Sequence, residues 1–378
     1  MSASFHHRRD LACSPATAWR LLTDPEQMNR WSAAPIALSD NGIGDRPDGM
    51  GALRVVTLPG GRSRLREVVE LAEFPRRFVY RVHDGGPLLL SHRGEQTIEA
   101  TPSGCRLTWS VELRLAGGLS RPIARSIAKQ VGASLDALAA LAPGEPDSDD
   151  PGPPADRPAT LTRSELATLR GAAFESLDAQ IGIADRLAAA GDPKQWFARV
   201  YQYVTQEMIA VADRPEALRN PDWVLALIPV FHDYFTANLA AYEDGGPCTP
   251  AWQRAWSLCE REDPDHPERP VMRGLLAGVS AHIDDDLPHA LADVAAARYP
   301  DRDLREFRPD YLRLAPVFTA ASDHLLADLP RSHKPWWTPI AARVHPQVRD
   351  DLLGRKGFHV GRQRLKAFAA ARAAVVQS

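Results

Sequence analysis

The stretch SPATAWRLLTDPEQMNRW, residues 14–31, decides how the first part of this 378-residue chain reads. Ser14 suits a helix N-cap, because its hydroxyl can accept from a backbone N–H of the first turn, and Pro15 falls where a missing N–H costs nothing. Ala18, Leu21 and Leu22 form the apolar stripe. Pro25 ends that helix or starts a second short one. On either side of this helical island the hydrophobic period is two. A strand from Ser4 to Ala12 precedes it. GALRVVTLP, SRLREVVELAEF, RRFVYRVHD, LLLSHRGEQTIEAT and GCRLTWSVELRL follow, with LPGGRS, HDGGP and TPSG as turns at hairpin spacing. SRPIARSIAKQVGASLDALAAL then reads as a long helix, with Ile123, Ile127, Val131, Leu135 and Leu138 near one face.

A strand, two short helices, a run of antiparallel strands and a long C-terminal helix form an α+β order. From Phe5 to Leu141 it resembles the polyketide cyclase/dehydrase branch of the START-like (Bet v 1-like, SRPBCC) helix-grip superfamily. The residues that carry the resemblance are SPATAWRLLTDPEQMNRW, EVVELAEFPRRFVYRV and GCRLTWSVELRL. The resemblance implies a curved sheet wrapped round the long helix with a cavity between them. It also implies a hydrophobic small-molecule ligand, since members bind lipids, steroids, polyketides or plant hormones. Some members are enzymes and others only carry or sense a ligand.

Strand parity shows what such a cavity would hold. In LTWSVELRL, Leu107, Trp109, Val111, Leu113 and Leu115 share one face, expected to meet the helix. By the same parity Glu67 falls with Leu65, Val69 and Leu71, Tyr80 with Phe78 and Val82, and His92 and Gln96 with Ile98. Glu67, Tyr80, His92, Gln96 and Trp109 are therefore candidate ligand-binding residues. A buried Glu67 would have a raised pKa and could act as acid or base. A bulge that shifts register would instead turn these polar groups to water, and parity alone leaves both outcomes open.

Residues 143–160, PGEPDSDDPGPPADRPAT, hold no large apolar side chain and read as a Pro/Asp-rich interdomain linker. The domains are accordingly 1–142, a helix-grip unit, and 161–378, an all-α unit in which nearly every segment has period 3.6. FARVYQYVTQEM, VFHDYFTANLAAY, LLAGVSAHIDDDLPHAL and FRPDYLRLAPVF resemble DUF5995, a bacterial helical family of unknown function, over roughly Trp196 to Leu329. That resemblance implies a fold and no chemistry. Asp284 and Asp285 stand where the family pattern often has an Asn and a basic residue, so the local charge here is unusually negative.

SAHIDDDLPHALADV, residues 280–294, sets two histidines among four aspartates. If one helix runs through it, His282, Asp286, His289 and Asp293 share a stripe. If Pro288 breaks the helix, Asp286 caps a second one and His289 lies at the surface. His282 follows the small apolar run LLAGVSA and should be buried, with Asp286 as partner. His232 lies in a second apolar helix, within PVFHDYF. His232, His282 and Asp286, completed by Glu207 or Asp310, would make a mixed His/carboxylate set suited to Zn, Fe or Mn.

The rest of the chain mainly excludes. The net charge is −3 with 25% charged residues, which argues against a nucleic-acid partner. No run of about 18 apolar residues predicts a membrane span, and the N-terminal stretch lacks the apolar run of a signal peptide. The four cysteines show no CxxC spacing, and a reducing cytoplasm is the expected setting. No Walker loop, GxSxG or HExxH occurs. SHKPWWTPI reads as a packed loop, and the basic C-terminal helix, with Phe358, Leu365, Phe368, Ala369 and Val376 on its apolar face, is expected to pack on the bundle. Oligomeric state is open.

Three functions fit. The first is an enzyme of bacterial secondary metabolism that performs cyclisation or dehydration by acid–base steps on a polyketide-like molecule, with Glu67 or the set His282, Asp286 and His232 as catalytic residues. The second is a metal-dependent enzyme with its site in the helical domain. The third is a non-catalytic carrier of a hydrophobic ligand.

Overall fold

The computed structural model describes residues 2–58, 61, 63–86, 88–155, 161–334 and 360–377. The chain forms two compact units, one comprising 1–157 with 305–312 and the other 158–304 with 313–378.

The first unit is a seven-stranded antiparallel sheet in the order β1-β7-β6-β5-β4-β3-β2. Its strands are β1 (Ala3–Leu11), β2 (Ile36–Asp40), β3 (Leu53–Thr57), β4 (Arg64–Glu73), β5 (Arg77–Asp84), β6 (Leu89–Thr101) and β7 (Gly104–Leu115). The short helices α1 (Pro15–Thr23) and α2 (Pro25–Met28) follow β1, and α3 (Ser120–Leu141) follows β7. This is the expected helix-grip fold, with β2 added to the strands legible in the sequence. Ser14 caps α1 as expected, its Oγ accepting from the Thr17 N–H at 3.2 Å. The alternation in β7 holds: Leu107, Trp109, Val111, Leu113 and Leu115 all join the core under α3, together with Trp19, Trp31, Phe78 and Tyr80.

Two elements depart from the simple pattern. A bulge between Val69 and Leu71 shifts the pairing of β4 with β5. Val69 and Ala72 then enter the core, while Leu71 is buried outside it, because one extra residue reverses the side-chain parity beyond it. In α3, Leu135 and Leu138 are fully buried, but Ile123 is 37% exposed.

The 143–155 stretch is not a free linker. Glu145 accepts from both Arg20 and Arg30, and Asp150 pairs with Arg46 at 2.6 Å. Gly152 lies so close to Phe74 that a β-carbon there would sit 2.2 Å from the ring. Ionic and backbone contacts hold what apolar burial could not. Residues 156–160 lie outside the described residues. A second departure is that 305–312, sequence of the expected helical domain, belongs to the first unit. There the Arg308 guanidinium donates to the Gly51 carbonyl at 2.7 Å and to Asp40 at 2.7 Å.

The second unit is helical: α4 (Arg163–Ala189), α5 (Gln195–Ala212), α6 (Pro221–Glu243), α7 (Pro250–Cys259), α8 (Glu268–Ala281), α9 (Leu287–Arg298), α11 (Ala315–Asp328) and α12 (Val360–Gln377), with the short α10 (Arg308–Arg313) straddling the unit boundary. Thr162 and Glu165 form a capping box at the start of α4. A turn at Asp192–Pro193 precedes α5, with Asp192 accepting from the Lys194 N–H. By length and composition α6 is apolar enough to cross a membrane, with mean hydropathy 1.3, although Asp222, His232 and Asp233 interrupt its apolar run. Its residues Trp223 to Ile228, Phe231 and Phe235 are nonetheless buried. The Trp336–Trp337 loop and Phe358 lie outside the described residues.

Candidate functional site

The inner face of the grip carries a continuous polar strip. Arg54 on β3 and Glu67 on β4 are direct cross-strand partners. Their side chains, 2% and 8% exposed, form an ion pair at 3.1 Å. The Arg54 guanidinium lies over the rings of Phe78 and Tyr80, 5.0 and 5.2 Å from their centres. The Tyr80 hydroxyl accepts from Trp109 Nε1 at 3.1 Å, and its ring lies 6.0 Å from His92. Gln96 is the register partner of both Phe78 and Trp109. Of the two outcomes that parity left open, the inward one holds: Glu67, Tyr80, His92, Gln96 and Trp109 are all buried. Arg54 was missed by sequence reasoning. Its signal was a lone cation in the apolar strand LRVVT, in register with the one acid of the facing strand that parity turns inward.

Three polar atoms of this strip are buried without a hydrogen-bond partner: Arg54 Nε, His92 Nδ1 and Gln96 Oε1. A buried polar group left unpaired is costly, so each is a polar contact open to an internal water or a ligand. The titration of the strip follows from its burial. Burial pushes the Glu67 carboxyl up against the pull of Arg54. Burial also raises the Tyr80 phenol, so it stays protonated, and lowers the His92 imidazole to about 4, so it is neutral near pH 7. The strip therefore combines a retained phenol, a neutral imidazole, a carboxyl of raised pKa and a fixed cation.

The helical unit brings together a second group. The helix does not break at Pro288. It passes from α8 to α9 through a π turn, His282–Asp286, closed by the Leu287 N–H donating to the His282 carbonyl. The wider turn relieves the clash a proline would make in regular α spacing. Asp286 is consequently no N-cap: its backbone is helical, and its carboxylate accepts from His282 Nδ1 at 2.8 Å and Trp252 Nε1 at 2.9 Å. The π turn also shifts the register beyond it, so the expected four-residue stripe is not formed. His289 is exposed and bonds the Asp285 carbonyl, while Asp293 accepts from Tyr234.

His282 is stacked on Phe231 with ring centres 3.5 Å apart, and Tyr201 meets it edge-on at 4.5 Å. Burial lowers the imidazole pKa against the pull of Asp286. His282 Nε2 and the Tyr201 hydroxyl are both buried without partners. His232 lies nearby, its ring 6.5 Å from Tyr201, with Nδ1 facing Gln180 Nε2 at 3.4 Å. The expected metal set does not converge. Glu207 faces His324 at 3.5 Å, Asp310 belongs to the first unit, and among the described residues no three His, Cys, Asp or Glu side chains gather to hold a metal ion.

Against known families, a sequence model described as a family of unknown function, DUF5995, matches residues 175–378, more than half of the chain. The chain belongs to DUF5995. Joined to its DUF5995 region, residues 2–143 match a second model, polyketide cyclase/dehydrase and lipid transport. That match supports a hydrophobic ligand-binding or cyclase-type role for the first unit. Uncharacterized proteins of Mycobacterium bovis and Mycobacterium tuberculosis are 30% identical to the chain over 114 residues, 30% of its length. The chain spans 66% of the length of these relatives. Similar solved structures include norcoclaurine synthase from Thalictrum flavum, in complex with dopamine and hydroxybenzaldehyde. It is 16% identical over 39% of this chain and 90% of its own, with a TM-score of 0.31. The di-domain ARO/CYC StfQ of the steffimycin biosynthetic pathway is 16% identical over 37% of this chain and 51% of its own, also with a TM-score of 0.31.

Proposed function

We propose that the grip of this DUF5995 protein takes an apolar, oxygen-bearing, polyketide-like molecule and performs acid–base chemistry on it of the cyclisation or dehydration type. The observation that carries the reading is the run of unpartnered buried atoms beside the Arg54–Glu67 pair. Arg54 Nε can donate to a carbonyl oxygen, and Gln96 Oε1 can accept from a hydroxyl. A ligand with alternating carbonyl and hydroxyl groups would satisfy both.

The chemistry follows from the protonation states. The neutral His92 imidazole, or ionised Glu67, removes a proton from a carbon beside a carbonyl. The electron pair moves to the oxygen as an enolate, held by Arg54 and the Tyr80 hydroxyl. The enolate carbon attacks a second carbonyl of the same molecule, and the new alkoxide takes a proton back. Loss of that hydroxyl as water completes a dehydration. The test is quenching of tryptophan fluorescence by a hydroxylated anthraquinone. Binding by the wild type, weakened about tenfold in Glu67→Gln and Arg54→Met, supports the reading; a polar contact of this kind is worth about 1.5 kcal/mol. Absence of binding overturns it. Binding without turnover of an open-chain polyketone would favour the carrier function.

A second reading puts the chemistry in the helical unit. It is favoured by the Asp286–His282 pair, whose carboxylate fixes the imidazole and leaves Nε2 without a partner, the arrangement of an oriented base. A metal-dependent form of this reading, with Zn, Fe or Mn, would need ligands beyond those the described residues gather around His282.

A further inference from the structure

One end of the first unit exposes large apolar side chains beside unopposed cations. Leu88, just before β6, is 51% exposed; Leu119, just before α3, is 41% exposed; and Ile123, in its first turn, is 37% exposed. The strand register puts them at one end of the sheet. Leu89 pairs with Leu115 and Ala3 with Leu113, and the Ala116 N–H donates to the Leu88 carbonyl at 3.0 Å. Along α3, Leu119 and Ile123 lie on one flank and Arg121, Arg125 and Lys129 on the other, with exposed Pro122 and Ser126 between them.

The charge of this end is mainly positive. Residues 113–135 hold four cations, Arg114, Arg121, Arg125 and Lys129, between Glu112 and Asp136, and Asp136 is paired with Arg9 at 2.7 Å. At the end of β5, Asp84 is engaged with Arg66 at 3.3 Å. Arg121 and Arg125 also line an open cavity of about 270 Å³ between α3 and β1, floored by Phe5 and Ala124. His92, which pairs with Leu113, lies in the strip just inside this end.

We propose that this end of the grip is a docking surface for an anionic lipid bilayer. Leu88, Leu119 and Ile123 enter the interface, and Arg121, Arg125 and Lys129 meet the headgroup phosphates. Exposed apolar residues flanked by an excess of cations match the two needs of peripheral membrane binding, apolar burial and attraction to negative lipid. An apolar patch without that charge would suit a protein partner equally well; the charge selects the lipid. The surface is independent of which molecule the grip takes, so its test uses no ligand.

The test is co-sedimentation of the full chain with vesicles of phosphatidylglycerol or of phosphatidylcholine. The expected result is binding to phosphatidylglycerol alone, weakened at 0.5 M salt as screening requires. The Leu119→Asp/Ile123→Asp and Arg121→Glu/Arg125→Glu double variants should each lose about tenfold in bound fraction at an unchanged melting temperature. Both substitute exposed positions, so folding is preserved. Failure of the wild type to bind phosphatidylglycerol overturns the proposal, as does binding that the variants leave intact. Self-association of the wild type without vesicles, abolished by Leu119→Asp/Ile123→Asp, would overturn it in favour of a second copy of the chain.

Discussion

A β-carbon on Gly94 would lie 2.2 Å from Cζ of Tyr80 and 2.4 Å from its hydroxyl oxygen. The two are register partners on β5 and β6, so the Tyr80 ring lies across the strand at a position with no side chain. Gly94→Ala should displace Tyr80, break its bond from Trp109 and cost about 1–3 kcal/mol, as overpacking does. Tyr80→Ala/Gly94→Ala should cost less than the sum of the single variants. Urea unfolding of the four proteins measures the coupling, and additive effects would show that Tyr80 does not depend on Gly94.

The Arg54–Glu67 pair is expected to serve the site more than the fold. Removing one partner leaves a buried charge alone, so Glu67→Leu should cost about 3–5 kcal/mol. Replacing both, as Arg54→Met/Glu67→Leu, should recover most of that loss in denaturant unfolding while abolishing anthraquinone binding. A double variant as unstable as the single one would mean that the pair is a structural requirement.

His92 sets a pH dependence. Burial lowers its pKa from 6.5 to about 4, so the unfolded chain binds its proton more readily than the folded one. The stability this contributes is present in full above pH 6.5 and falls away as pH drops from 6.5 towards 4, by about 3 kcal/mol at most. Unfolding measured at pH 7.5 and pH 4.5 should differ more for wild type than for His92→Gln. Equal differences would show that His92 is not held neutral.

In the helical unit, His282→Ala removes a stacked, buried ring and one of two bonds to Asp286. A loss of about 2–4 kcal/mol is expected, and Asp286→Asn should cost less, since the amide oxygen can still accept from Trp252. Elemental analysis of the wild type alongside these variants is expected to give no stoichiometric Zn, Fe or Mn. A near-stoichiometric metal that disappears in a folded His282→Ala protein would move the chemistry to this unit.

Most of the first unit's architecture was legible in the sequence. Period-two alternation, hairpin turns and a capped helix are local properties, and parity singled out Glu67, Tyr80, His92, Gln96 and Trp109 as one-face candidates while leaving open which way that face turns. It placed Leu71 wrongly because a bulge leaves no mark in composition, and it missed Arg54 because a cation's partner on another strand is set by register. At Pro288 the sequence left a break and a continuous helix both open, because the cost of proline is local, whereas the π turn that accommodates it depends on the bundle packed around it.

The sequence by itself determined the elements, their order and the helix-grip and helical character of the two parts, since backbone sterics and hydrophobic period act over a few residues. The tertiary structure decided which distant side chains meet. It joined Arg54 to Glu67 and Asp286 to Trp252, bound 143–155 and 305–312 to the first unit, and set Glu207 against His324. Such meetings follow from long-range packing, in which a one-residue shift of register moves a side chain to another face.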